Sequence, residues 1–220
     1  MKKILLLMLC MFTAFSMAQG TFTSSQNGYW HNAATWNNAG VPGAGDTVVI
    51  DGEEVIIQND AGGGSDVTID RLNFSGGLLT LKNDLTISNS SGNSTTSSGT
   101  TLTLQSGTLT ISDGNFTNSG TISLGAGMKM IFSSGTGDTF TNNGSVDLTS
   151  TSQSFSSIIF DGTYVGAVNA MQYSRFIEGH DSGNGAWDLI GPPLNGMSIA
   201  SFITSNNDIA ANPSNDDFAI

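Results

Sequence analysis

Between residues 78 and 160 the chain alternates β-branched or Leu positions with Thr or Ser, in short runs that break at Gly, Asn or Asp. Alternation with a period of two is the signature of strands with one face buried, and the breaks carry turn chemistry. No comparable stretch sustains a helical period. The runs also align with one another: LTLKNDLTIS begins at Leu79 and LTLQSGTLTIS at Leu102, 23 residues on, while FTNSGTISL at Phe116 and FTNNGSVDL at Phe140 are 24 apart. Two independent pairs agreeing on one period predict stacked coils of a β-solenoid, each with two or three short strands.

Such coils pair each strand with its equivalent in the next, so inward side chains form continuous columns. The expected column is Leu79 and Leu81, Leu102 and Leu104, Ile122 and Leu124, then Val146 and Leu148, with Ser123 and Asp147 outward and Phe116 stacked on Phe140. Asn118 and Asn142 are placed at matching turns, where a left-handed backbone suits Asn and a side-chain ladder can form. NSSGNSTTSSGT, residues 89 to 100, has no apolar anchor and reads as a loop protruding from one coil. The expected fold class is all-β, a right-handed parallel β-helix with an N-terminal cap and a truncated β-rich C-terminal segment. Its parts are a leader over 1–18, cap and first strands over 19–66, repeats over 67–168, and an incomplete β-rich module over 169–220.

A solenoid needs its open end covered, because a bare coil offers strand edges and an apolar column to other chains. Trp30 and Trp36, in GYWHNAATWNNAGVPGAGDTVVI, are suited to that cap, with their indole N–H groups at rim carbonyls and a Pro42–Gly43 turn delivering the next strand. An exposed aromatic platform for a sugar is the alternative use of the same residues. Gly28, Trp30, Thr35, Trp36, Val41, Pro42, Gly43, Asp46, Val48, Ile50, Gly52 and Val55 form a pattern that resembles the opening of modules in secreted, adhesin-like surface proteins of Bacteroidetes, and is similar to the extracellular domain named for eight glycines. The resemblance implies parallel β-helical repeats on a large surface protein. Arg175, Phe176, Trp187, Leu189, Ile190, Pro193, Ile199 and Phe202 resemble a second module of the same class. That module stops short at Ile220 without a terminal β-module for type IX secretion, which leads us to expect an N-terminal fragment of a longer polypeptide or a degenerate product.

The first residues, MKKILLLMLCMFTAFSMAQG, place Lys2 and Lys3 before an apolar run and small residues at Ser16 and Ala18. This is the pattern of a secretory signal with a mature start near Gln19, and it predicts a secreted or cell-surface protein. No later run approaches the about 18 apolar residues of a spanning helix. Cys10, the single cysteine, lies in the leader behind Leu9, which is too large for a lipoprotein cleavage site, so a mature chain has no thiol for disulfides, metal or catalysis. Without Lys2 and Lys3, four basic residues (Arg71, Lys82, Lys129, Arg175) face 18 acidic ones, a formal charge of 4 − 18 = −14. Nucleic acid and anionic membranes are therefore disfavoured, and neutral glycans, matrix or cations remain. Oligomeric state is left open.

Candidate chemistry is sparse. His180 beside Gly179 and the pair Asp216–Asp217 suggest a β-helical hydrolase, but their order is wrong and they lie outside the repeat. A lyase would need clustered acids and a base, whereas Asp113, Asp138, Asp147 and Asp161 are scattered and only Lys82 and Lys129 are bases within the repeat. GGGSD at 62–66 is a single partial match to a calcium-binding nonapeptide, so structural calcium is the one cation considered and no cofactor is expected. His31 has no second ligand nearby for a transition metal. Neither a nucleophile elbow nor a phosphate loop occurs. Thr-x-Thr at 101–103 and 108–110 resembles the pattern of ice-binding solenoids, but ordinary strand preference accounts for it. The reading that emerges is an adhesin-like structural or binding protein contacting glycans or matrix, with a carbohydrate-active β-helix, a lyase or hydrolase, as the alternative.

Overall fold

The computed structural model describes residues 19–58, 66–133, 137–167, 170–174 and 176. By contacts the chain divides into two compact units, Met1–Ser174 and Arg175–Ile220. The first is a parallel β-solenoid of about six turns, with no α-helix and one 3-10 turn at Ala33–Thr35 among the described residues.

Each complete coil visits three walls. The first coil holds only β1 (Thr21–Thr23) and β2 (Gly28–Tyr29). The second runs along β3 (Thr47–Ile57), which bends from the first wall to the second at Asp51, and ends in β4 (Val67–Ile69). The third repeats this with β5 (Arg71–Leu81) and β6 (Leu85–Ile87). In later coils the bend becomes a break, giving β7 (Ser94–Thr96), β8 (Thr101–Leu104) and β9 (Thr108–Ile111), then β10 (Phe116–Asn118), β11 (Thr121–Leu124) and β12 (Lys129–Phe132). Next come β13 (Thr139–Asn142), β14 (Ser145–Thr149) and β15 (Ser157–Phe160), and finally β16 (Thr163–Gly166) and β17 (Met171–Ser174). Because β3 and β5 cross a corner unbroken, the first two walls form one 12-stranded sheet, and the third wall is a separate five-stranded sheet. All of the pairing between these strands is parallel.

The second wall carries the Leu positions read from the repeat. Val55, Leu79, Leu102, Ile122, Val146 and Met171 lie opposite one another from coil to coil, and so do Ile57, Leu81, Leu104, Leu124, Leu148 and Tyr173. A second apolar column on the third wall runs Ile69, Ile87, Ile111, Phe132, Phe160. Phe116 and Phe140 pack with ring centroids 5.7 Å apart and planes tilted by 35°. With about 25 cal/mol per Å² of apolar burial, one wholly buried Leu or Ile stabilises the stack by roughly 1.5–3 kcal/mol.

Two local expectations differ from the structure. Residues 94–96 of the presumed protruding loop are strand β7, set in the wall between β5 and β10. The strand needs no apolar anchor because Ser94 and Thr96 turn inward and find partners: Ser94 Oγ donates to Asn89 Oδ1 and accepts from the Leu72 amide, and Thr96 Oγ1 donates to Asn118 Oδ1 at 2.5 Å. Nor do Asn118 and Asn142 sit in left-handed turns, since the only non-glycine residues with positive φ are Ala39 and Asn89 among the described residues. The two asparagines are the last residues of β10 and β13, wholly buried, and they do form a ladder, Asn118 Nδ2 donating to Asn142 Oδ1 at 2.8 Å. The corners themselves demand glycine. Gly77 has φ +91° and a Cβ there would collide with the Glu53 carbonyl, while a Cβ on Gly144 would strike the Gly120 carbonyl of the coil below.

Parallel pairing begins at β1, inside the stretch read from sequence as cap, and continues to β17 beyond residue 168. Among the described residues no helix is long and apolar enough to cross a membrane.

Candidate functional site

The N-terminal end is the most elaborately built part of the molecule. After β2 the chain turns through Asn32, whose side chain accepts from the Ala34 amide and starts the 3-10 turn. That turn reverses the chain so that residues 35–38 run back across the free edge of β1. Ser24 and Trp36 form an antiparallel bridge, the Asn37 amide donates to the Thr23 carbonyl at 3.0 Å, and Asn37 Oδ1 accepts from the Thr23 amide at 3.0 Å. Asn38 Nδ2 donates to the Thr21 carbonyl at 2.6 Å. Two asparagine side chains thereby occupy backbone groups that would otherwise face a second chain.

Behind this edge, Trp30 is 0% and Trp36 3% exposed, packed edge to face with centroids 4.8 Å apart. Trp30 Nε1 donates to the Pro42 carbonyl at 3.3 Å and Trp36 Nε1 to the Trp30 carbonyl at 2.7 Å. Neither ring presents a face to solvent, so a sugar has nothing to stack on here. Asp46 closes the same corner: Oδ1 accepts the Gly20 amide at 2.8 Å, Oδ2 the Gly43 amide at 2.9 Å, and its carbonyl takes the amides of Asp70 and Arg71. Both carboxylate oxygens are committed to backbone.

The other candidates are not brought together. Asp147 lies mid-strand on the second wall, Asp113, Asp138 and Asp161 lie between strands at different corners, and no group of three or more His, Cys, Asp or Glu side chains converges among the described residues. Lys82 Nζ donates to Gln58 Oε1 at 3.0 Å, and Lys129 opens β12 on another wall. Asp66, the described end of the GGGSD motif, accepts the Asp84 amide at 3.2 Å, and Asp84 accepts the Thr108 amide at 2.7 Å, so these carboxylates cap the next coil's strand. His31 Nδ1 is buried without a partner. His180, Asp216, Asp217, Arg175 and residues 187–202 lie outside the described residues.

What the sequence reading passed over is a buried carboxylate. Asp70, 0% exposed, accepts hydrogen bonds from the hydroxyls of Ser88, Ser90 and Ser91 and from the Ser91 amide at 3.2 Å. Burial pushes its pKa up, but the donors from Ser90, Ser91 and Ser88 together hold it below the ordinary 3.8. Asn89, with φ +48°, carries the serine loop around the carboxylate. The run Ser88–Ser91 one coil after an Asp was the available signal, an acceptor matched by clustered donors.

The outward rows are hydroxyl-rich. Thr101, Thr121 and Ser145 are in register on the second wall, beside Thr80, Thr103 and Ser123; Thr95, Thr117 and Thr141 are in register on the first. The Thr-x-Thr pattern thus reaches one coil further than its sequence spelling implies, as Thr121 and Ser123. No family model, no curated protein and no solved structure matches the chain.

Proposed function

We propose that the protein is an exported, cell-surface or extracellular structural and binding protein of the adhesin-like kind, a β-solenoid scaffold that contacts glycans or matrix through its outward walls and corners. The observation that carries this reading is the contrast between interior and exterior of the coil stack. Apolar columns and a sealed first end hold the stack together, while the outward rows are Thr, Ser and Asn in register, a repeating array of neutral hydrogen-bonding groups. Neutral polar surfaces suit neutral polysaccharides, and a chain this acidic repels polyanions.

The test is a pull-down of residues 19–220 against insoluble and immobilised polysaccharides, with the supernatants assayed for released sugar. Retention without release is the expected result. Release of oligosaccharide would overturn the reading in favour of a lyase or hydrolase and direct attention to the outward carboxylates. Absence of retention across the panel would remove the glycan-binding part of the proposal.

A further inference from the structure

Gln19 sits at a junction with chemical consequences. The small residues Ser16 and Ala18 precede it in the pattern of a signal-peptidase site, and the solenoid's hydrogen bonding begins one residue later. The Gly20 amide donates to Asp46 Oδ1 at 2.8 Å and the Gly20 carbonyl accepts from the Thr47 amide at 2.9 Å, whereas Gln19 itself is exposed. Cleavage after Ala18 therefore leaves a single glutamine standing free ahead of a clamped backbone. Its new α-amine has no folded segment to retreat into. Both oxygens of Asp46, the carboxylate next to it in space, already accept backbone amides.

An N-terminal glutamine carries its own electrophile. The α-amine nitrogen attacks the side-chain Cδ, the Cδ–Nε2 bond breaks, a proton passes to the departing nitrogen, and ammonia leaves. A five-membered lactam results, with no oxidant, reductant or co-reactant. We propose that Gln19 is a modification site: the exported chain is cut after Ala18 and its amino terminus is closed as a pyroglutamyl lactam. The closure removes the only α-ammonium of the mature chain and leaves no free amine at the sealed end of the solenoid, where an aminopeptidase would begin. This rests on the export reading above.

The test is intact-mass and amino-terminal peptide analysis of the full chain expressed with its own leader in a Gram-negative host and recovered from the periplasm or medium, beside the variant Gln19→Asn. The expected product begins at residue 19, is lighter than the open form by one ammonia, and resists stepwise amino-terminal degradation, while Gln19→Asn is cut at the same bond and degrades from a free amine. A wild-type chain that begins at Gln19 and keeps its free amine after prolonged incubation would overturn the lactam and leave export standing. A chain that retains Met1, or is cut at another bond, would overturn both.

Discussion

The two ends of the coil stack obey different rules. At the first coil, residues 35–38 cross the edge of β1, two indoles fill the space over the core, and both ring nitrogens are satisfied. At the last, β15, β16 and β17 end the strand order, and large apolar side chains stay in the open: Ile159 is 49%, Tyr164 38% and Val165 51% exposed. The same alternating pattern lies behind both, yet a side chain that is core in the middle of the stack becomes surface when no further coil lies above it. Burial in a solenoid is a property of the neighbouring coil as much as of the residue.

The largest effect expected from breaking this order is inside the stack. Ile122→Asp places an unpaired carboxylate in the second-wall column and should cost about 4 kcal/mol or more, enough to unfold the stack in denaturant titration. Ser123→Asp, one residue on and outward, should change stability by less than about 0.5 kcal/mol. Equal effects would mean that the wall is turned the other way. The ends come next: Trp30→Ala should cost roughly 3–5 kcal/mol, as expected for a fully buried indole, and Tyr164→Ala about 1 kcal/mol. A Tyr164 penalty as large as that of Trp30 would show the last coil to be covered as tightly as the first.

A subtler comparison sets the polar ladder against the apolar columns. Asn118→Ala removes the partner of Thr96 Oγ1 and of Asn142 Oδ1 and should cost about 2 kcal/mol by leaving buried groups unsatisfied. The smallest effect is pH-dependent. Asp70 has a lowered pKa in the folded state, so its charged form stabilises the fold fully above the ordinary value near 3.8, and that contribution disappears as pH falls through the lower folded value. The difference in unfolding free energy between the wild type and Asp70→Asn should therefore be constant above about pH 5 and shrink in more acidic buffer. A difference that grew on acidification would have the wrong sign.

Much of this was legible in the residues themselves. Alternation with a period of two decides which face of a strand is apolar, and a repeat near 24 residues decides which residues become neighbours, so the pairing of Ile122 with Leu102 and Val146 follows from spacing alone. Aromatic size and indole polarity marked Trp30 and Trp36 for the first coil before their partners were known. The tertiary structure was needed wherever a residue's environment depends on what the next coil supplies. Ser94 and Thr96 read as loop because hydroxyls carry no apolar signal, and they enter the wall only because Asn89, Asn118 and the Leu72 amide lie within hydrogen-bonding reach. Asp70 is buried for the same reason, its charge tolerated by serines one coil away. Apolar burial is written in local alternation because it needs no particular partner; polar burial needs donors and acceptors at short range, and only the stacked fold sets those distances.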